Sequence, residues 1–257
     1  MNDLLLSAPA WLVAALSIGV SGAISVGMVT LVRRLATAER GEHHNEVLGM
    51  LLSAGGIFSA IVVALAVFVV WDHYTSARQA EEDEGAALIV LYHDAETLPA
   101  PARLQVETSI RDYTTSLIRD EFPLLARGEP SDRTERSLSQ MNDAVHQRLG
   151  DTSAPDQVSA VARAQYRLEL AADASMPALL WVLLIGGSAM LLLMAAPLFM
   201  ESARYHAMGA VLLGCTLGAA LYLILAADHP YSGPLQVQPT DLLRNLHTYA
   251  VIDGEGT

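Results

Sequence analysis

Four long apolar stretches, two on each side of a polar block, constrain the fold of this chain more than any other feature. They cover residues 4–32, 47–71, 177–199 and 207–226, without Asp, Glu, Arg or His in their interiors. A helix needs about 20 residues to cross a hydrocarbon core of about 30 Å. Only helices and closed barrels satisfy their own backbone in lipid, and these runs lack the alternation of barrel strands. The sequence therefore predicts an all-α membrane protein with four transmembrane helices.

The composition agrees with a membrane protein and narrows the choice of partners. Hydrophobic residues make up 52% of the chain, the net charge is −13, and all 15 basic residues are Arg. Nucleic acids and anionic lipid surfaces attract clustered positive charge, so we expect a lipid bilayer and no nucleic acid as partner. Cys215 is the only cysteine in the sequence, so the chain forms no internal disulfide. Met1-Asn2-Asp3 lacks the basic residue of a signal peptide, which favours a permanent first span.

The polar block, residues 72–176, has helical periodicity throughout and no alternating strand pattern. We expect the second span to continue as one helix to about Glu96. Three more helices follow in the prediction, the second of them capped by Ser131 and the third beginning at Ser153. The block is therefore predicted to be a helical bundle inserted between the second and third transmembrane helices.

The predicted domains follow from these elements. The last of them holds a rigid turn and a short amphipathic helix, which Thr240 is expected to cap. The domains are residues 1–71 for the first transmembrane pair, 72–176 for the helical block, 177–227 for the second pair and 228–257 for the C-terminal turn and helix.

Basic residues at the ends of the spans bear on orientation. Arg33 and Arg34 directly follow the first span, and no basic residue precedes it. Positive residues favour the cytoplasmic side, so this asymmetry places the short loops inside and the helical block outside.

Small residues recur at helical spacing on the first and fourth spans. Such stripes let helices approach closely and let hydroxyl groups bond across an interface. Helix packing is our interpretation, and a weakly polar pore wall is the alternative. The stripes are Ser17, Ser21 and Ser25; Gly19, Ala23 and Gly27; and Gly214 with Gly218.

The second span carries large apolar residues on one helical face, namely Ile57, Ile61, Leu65 and Phe68. Around the axis of an oligomer they would form a hydrophobic constriction that gates by dewetting; the alternative is contact with lipid or with other spans. Pumps and ion-coupled carriers need charged groups at depth, and the interiors of the four apolar stretches contain no Asp, Glu, Lys, Arg or His. A passive channel or a structural membrane protein remains.

Residues just after the second span are candidates for a pore mouth. Trp71, Asp72 and His73 close the span, where an aromatic anchor at the headgroups is the alternative interpretation. Glu81 and Glu84 belong to an acidic run that forms either a solvated helix face or, in a symmetric oligomer, a ring that concentrates cations.

Enzymatic chemistry finds little support in the sequence. Asp228 and His229 are a potential acid–base pair, but no nucleophile, phosphate-binding loop or spaced ligand set accompanies them. We therefore expect no catalysis, no cofactor and no metal site. The segment that contains Asp228, His229, Pro230 and Gly233 is predicted to be a rigid turn after the fourth span.

Several segments resemble a bacterial four-pass membrane family of unknown function that is known as bestrophin-like. Gly85, where Ala is expected, and Phe122, where Trp is common, depart mildly from its pattern. The matching segments are Arg33-Arg34, His44-Asn45-Glu46-Val47-Leu48-Gly49, Trp71-Asp72-His73-Tyr74 with Ala77, Glu84 with Ala86-Ala87-Leu88, Tyr113, Glu121-Phe122-Pro123 and Asp228-His229-Pro230-Tyr231-Ser232-Gly233.

The resemblance implies a protein of the bacterial plasma membrane. Through the likeness of this family to bestrophins, it also implies the layout of pentameric anion channels, with the second span lining the pore and the helical block in the cytosol. That orientation is opposite to the one that the charges favour. Our hypothesis is a passive, homo-oligomeric channel for small ions, and the resemblance favours anions among them. The alternative is a non-conducting envelope sensor or scaffold that acts through its helical block.

Overall fold

The computed structural model of the chain describes residues 10–35, 42–149, 154–198, 200 and 202–254. These residues form helices and connecting turns, with no strand among them. They include four helices that are long and apolar enough to cross a membrane. The predicted all-α membrane fold is confirmed. The predicted helix start at Ser153 lies outside the described residues.

The helices are numbered here in chain order. The segment Leu117–Glu121 forms a π-helical turn. The helices are α1 Ala10–Leu35, α2 Glu42–Ala95, α3 Ala100–Ser116, α4 Phe122–Leu125, α5 Asp132–Leu149, α6 Ala154–Asp173, α7 Ala178–Ala195, α8 Ala203–Ala227 and α9 Thr240–Ile252.

The chain divides into two compact units. The first comprises Met1–Trp71 with Ser175–Asp228, and the second comprises Asp72–Ala174 with His229–Thr257. The first unit thus holds α1, α7, α8 and the beginning of α2, which are the membrane-spanning segments. The second holds the rest of α2, together with α3 to α6 and α9.

In the first unit, α1 and α8 approach each other through small residues. A Cβ added to Gly214 would lie 2.6 Å from the backbone oxygen of Ser21, and one added to Gly218 would lie 2.7 Å from the Cβ of Ser21. Such a distance requires the absence of a side chain. At Gly19 and Gly27 an added Cβ would meet no described atom within 4 Å. The contact is therefore built on the serine stripe of α1 and the glycines of α8.

The inner face of α2 packs within the same unit. Val62, Ala66 and Val70 are buried in an apolar cluster that also contains Leu184 of α7 and Ile224 of α8. These three α2 residues are spaced four apart, so they define one side of the helix.

The second unit has an aromatic and aliphatic core drawn from all of its longer helices. The Oγ of Ser131 accepts the backbone N–H of Thr134 at 3.3 Å, which confirms the predicted cap of α5. α2 ends at Ala95, one residue before the predicted end. Fully buried members of the core are Leu88, Leu91, Tyr92, Ile110, Tyr113, Leu117, Met141, Leu168, Leu242 and Tyr249.

The first turn of α9 is capped by a distant residue. The Oε1 of Glu81 accepts the backbone N–H groups of Asp241 and Leu242 at 2.8 and 3.2 Å. The hydroxyl of Thr240 instead donates to the backbone oxygen of Gln238 at 3.4 Å. The predicted capping role of Thr240 is therefore wrong, because a carboxylate from α2 fills that role and suits the positive end of the helix dipole.

Candidate functional site

The four predicted constriction residues lie on one exposed face of α2. Ile57 and Ile61 are 65% and 62% exposed, and Leu65 and Phe68 are 50% and 68% exposed. They lie opposite the buried Val62 side of the helix, so the rest of the first unit leaves them uncovered. In a bilayer such a face contacts lipid, another protein chain or the interior of a pore.

The predicted mouth residues differ in exposure. Trp71 is 59% exposed, Asp72 is exposed, and His73 is partly buried. Glu81 and Glu84 are 2% and 0% exposed, so neither lies at a solvent surface of the chain. This burial does not support the prediction that Glu81 and Glu84 lie at a pore mouth.

The acidic run divides between the two sides of α2. The exposed Glu82 pairs with Arg78 at 2.7 Å, and the exposed Asp83 pairs with Arg167 at 3.0 Å. Glu81 is buried where it caps α9, and burial raises its pKa to about 6 although the two backbone N–H groups oppose the shift. Only two of the four acidic residues therefore lie on the predicted solvated face.

Glu84 belongs to a buried polar network in the second unit. Its Oε1 lies 2.6 Å from the hydroxyl oxygen of Tyr113, which lies 3.1 Å from the Oε1 of Gln165. The Nε2 of Gln165 lies 3.5 Å from the Oε1 of Glu169. Burial is the main cause that raises the pKa of Glu84 to about 8, and the nearby carboxyl groups add to it. Burial likewise raises the pKa of Tyr113.

Another buried carboxyl group lies at the end of the π-helical turn. Glu121 is fully buried, and its Oε2 accepts the backbone N–H of Ser131 at 3.0 Å, which ties the turn to the start of α5. Burial raises the pKa of Glu121 above its usual value. The buried ring of Tyr231 packs edge-on against Phe122, with ring centroids 5.8 Å apart. Among the described residues, no three His, Cys, Asp or Glu side chains form a potential metal site.

The predicted turn after the fourth span is held by backbone contacts. The Oδ1 of Asp228 accepts the backbone N–H of Met176 at 2.8 Å, within the first unit. In the second unit the oxygen of Pro230 accepts the N–H of Val237 at 2.7 Å. Gly233 has φ +84°, a conformation that is strained for residues with a side chain. Asp228 thus has a structural partner.

Comparison with known proteins decides the family. The model of the bestrophin-like domain matches residues 19–242, which is most of the chain. The chain belongs to the bestrophin-like family. The predicted membership is confirmed. A comparison with curated protein sequences found no match.

Solved structures share the bestrophin-like fold. A point mutant of a bacterial bestrophin homologue from Klebsiella pneumoniae has 13% sequence identity and a TM-score of 0.71, with 96% of this chain and 100% of that chain covered. A variant of a membrane protein has 13% identity and a TM-score of 0.69, with 96% and 99% covered. At this identity the likeness shows the fold.

Three residues that match the bestrophin-like pattern are far apart in sequence but lie close together in the second unit. Glu84, Tyr113 and Glu121 lie in or beside one buried network, although they come from α2, α3 and the π-helical turn. The sequence analysis identified each of these residues, but it could not predict that they lie close together, because no periodic pattern links three separate segments.

Sequence reasoning also missed a cluster that holds the end of α9 in this bestrophin-like chain. Arg111 forms an ion pair with Asp253, and its Nε donates to the hydroxyl of Tyr92 at 3.0 Å. The ring of Tyr92 stacks on that of Tyr249, with centroids 4.1 Å apart. Arg111 and Asp253 are 142 positions apart, so no local pattern predicts the pair.

Proposed function

We propose that this membrane protein is a passive ion channel in which several copies surround an axis and α2 lines the pore. The observation that carries the proposal is the uncovered face of Ile57, Ile61, Leu65 and Phe68, opposite a face that is buried within the first unit. A helix that lines a pore needs this asymmetry, with one side packed in its own chain and the other side free.

The chemistry of that face favours a gate that works by dewetting. A ring of Ile, Leu and Phe side chains repels water from a narrow passage, so a small change in its width switches conduction. The interiors of the four apolar stretches contain no Asp, Glu, Lys, Arg or His, which favours passive flow over coupled transport. We further propose an anion as the permeant ion and the bacterial plasma membrane as the location, by extension from bestrophins.

The mouth of the proposed pore follows from the same helix. Trp71 and Asp72 are exposed at the end of the apolar face, and His73 is partly buried beside them. Trp71 suits the headgroup level of the bilayer. Asp72 and His73 would then supply the first polar groups that an ion meets beyond the constriction. The charge of Asp72 makes its substitution by Asn a test of this assignment, because ion selectivity should change.

Single-channel recording of purified protein in planar bilayers with a chloride gradient tests the proposal. The wild type should give discrete currents that reverse near the chloride potential, and Ile61→Ala should increase the leak. The matched control is Ile185→Ala on α7, because Ile185 has the same side chain and is 57% exposed. Equal effects of the two substitutions on the leak would contradict the assignment of α2 to the pore wall.

A non-conducting envelope sensor or scaffold is the second candidate. The observation in its favour is the buried carboxyl network of the second unit, which lies in the helical block and has no evident part in conduction. Folded protein that stays silent across voltage and pH, with no change in permeability in Ile61→Ala, would favour this alternative.

A further inference from the structure

We propose that Glu84 is a proton-binding site inside the second unit and that the hydroxyl group of Tyr113 transmits its protonation state to Gln165 of α6. Such a site follows from hydrogen-bond geometry and is independent of whether the protein conducts ions.

The phenol group of Tyr113 has a single hydrogen to donate. The hydroxyl oxygen of Tyr113 lies 2.6 Å from the Oε1 of Glu84 and 3.1 Å from the Oε1 of Gln165. A tyrosine hydroxyl can donate only one hydrogen bond. If Glu84 is ionised, both neighbours are acceptors and one remains without a donor. If Glu84 is protonated, it donates to Tyr113, which donates to Gln165, and both contacts are satisfied.

The neighbours of the Gln165 amide favour one orientation of its oxygen and nitrogen. Its Nε2 faces the Oε1 of Glu169 at 3.5 Å. Exchanging the oxygen and nitrogen of the amide would bring its oxygen against that carboxyl group, so that two acceptors would face each other. The oxygen of Gln165 therefore points to Tyr113, and the chain of donors runs from Glu84 through Tyr113 and Gln165 to Glu169.

The charges around Glu84 determine which of its protonation states is the more stable. The titratable groups that face it are Glu81 on α2 itself, Tyr113 on α3, Glu121 of the π-helical turn, Glu169 on α6 and Tyr231 of the C-terminal turn.

None of these groups is basic, so an ionised Glu84 would meet no opposite charge among them. Its side chain is fully buried, and its Oε2 has no hydrogen-bond partner among the described residues. In such surroundings the neutral, protonated form of a buried carboxyl group is more stable than the ionised form. The pKa of about 8 agrees with a site that is mostly protonated at pH 7.

Loss of the proton from Glu84 would change these hydrogen bonds. The hydrogen of Tyr113 would turn towards the charged Glu84, and the oxygen of Gln165 would lose its donor inside the core. The new negative charge would also repel Glu121 and Glu169. A rise in pH should therefore weaken the contact between α2, α3 and α6, while acid should strengthen it.

The first test compares the pH dependence of unfolding in detergent for the wild type, Glu84→Gln and the control Glu96→Gln. Glu84→Gln keeps a donor towards Tyr113 but cannot ionise, and Glu96 is an exposed carboxyl group at the end of α2. The folded-state pKa of Glu84 lies above its unfolded value, so its stabilising effect is present in acid and is lost as pH rises towards 8.

One titrating proton changes the folding equilibrium constant about tenfold per pH unit between the two pKa values. The folding equilibrium constant of the wild type should therefore fall by about ten times more per pH unit than that of Glu84→Gln. The Glu96→Gln variant should follow the wild type. Identical profiles for the wild type and Glu84→Gln would overturn the proposal.

A second test needs no stable Glu84 variant. Infrared difference spectra of the wild type should contain the carbonyl band of a protonated carboxylic acid that disappears as pH rises through about 8. Tyr113→Phe should shift the frequency of this band, because the partner of the acid is removed. The absence of the band, or a band that Tyr113→Phe leaves unchanged, would show that Glu84 is not the site.

Discussion

Replacing Gly218 by Ala should separate α1 from α8. The added Cβ would lie 2.7 Å from the Cβ and Oγ of Ser21 and 2.9 Å from the backbone oxygen of Ser17. At Gly214 the nearest atom is the backbone oxygen of Ser21, at 2.6 Å. Rotation of a side chain cannot relieve contacts with backbone atoms, so the helices must move apart.

The magnitude follows from two opposing effects. Overpacking a tight contact costs about 1–3 kcal/mol. Against it, Ala stabilises an aqueous helix by about 0.8–1 kcal/mol relative to Gly. Gly19 and Gly27 lie on α1, where an added Cβ meets no described atom within 4 Å, so their replacement has only the second effect. The difference between Gly218→Ala and Gly27→Ala therefore isolates the clash, and we expect it to be about 1–3 kcal/mol.

Unfolding free energies in detergent, measured for the Ala variants at Gly19, Gly27, Gly214 and Gly218, test this reasoning. The two α8 variants should be less stable than the two α1 variants, with Gly214→Ala at the upper end of the range. Equal stabilities for the four variants would refute the close contact between α1 and α8. A loss at Gly27 as large as that at Gly218 would show that the exposed face of α1 is also packed against protein.

Two further substitutions test parts of the second unit. Gly233→Ala should destabilise the protein by about 1–2 kcal/mol, because Gly233 has φ +84°; an unchanged melting temperature would contradict this. Arg111→Gln removes the ion pair with Asp253 and the hydrogen bonds to Tyr92, which should cost about 1 kcal/mol. Limited proteolysis should then cleave α9 faster than in the wild type, and an unchanged rate would show that the cluster does not hold the helix.

The membrane helices could be predicted because their signal is local. A run of apolar residues determines a span wherever its neighbours lie, and the Ser131 cap is formed within one turn of its own helix. The length of α2 was predictable for the same reason, since its apolar stripe continues beyond the bilayer and proline residues follow it.

The buried carboxyl groups could not be predicted in this way. Glu81 and Glu84 lie in a run of four acidic residues, and such side chains are almost never fully buried unless they have partners. Their partners are Asp241 and Leu242 for Glu81 and Tyr113 for Glu84, each from a distant segment. Helical periodicity shows that two faces exist, but it does not show which one a remote helix will cover.

The second unit is assembled from two separate segments of the chain, so the order of synthesis affects when it can fold. α9 follows two transmembrane helices in the chain, yet it belongs to the same compact unit as α3 to α6. Until the ribosome has produced residues 240–242, the carboxyl group of Glu81 lacks the backbone N–H groups that it accepts in the finished protein. The helical unit therefore cannot complete its fold before the last two spans have been made, so its maturation is tied to their insertion into the membrane.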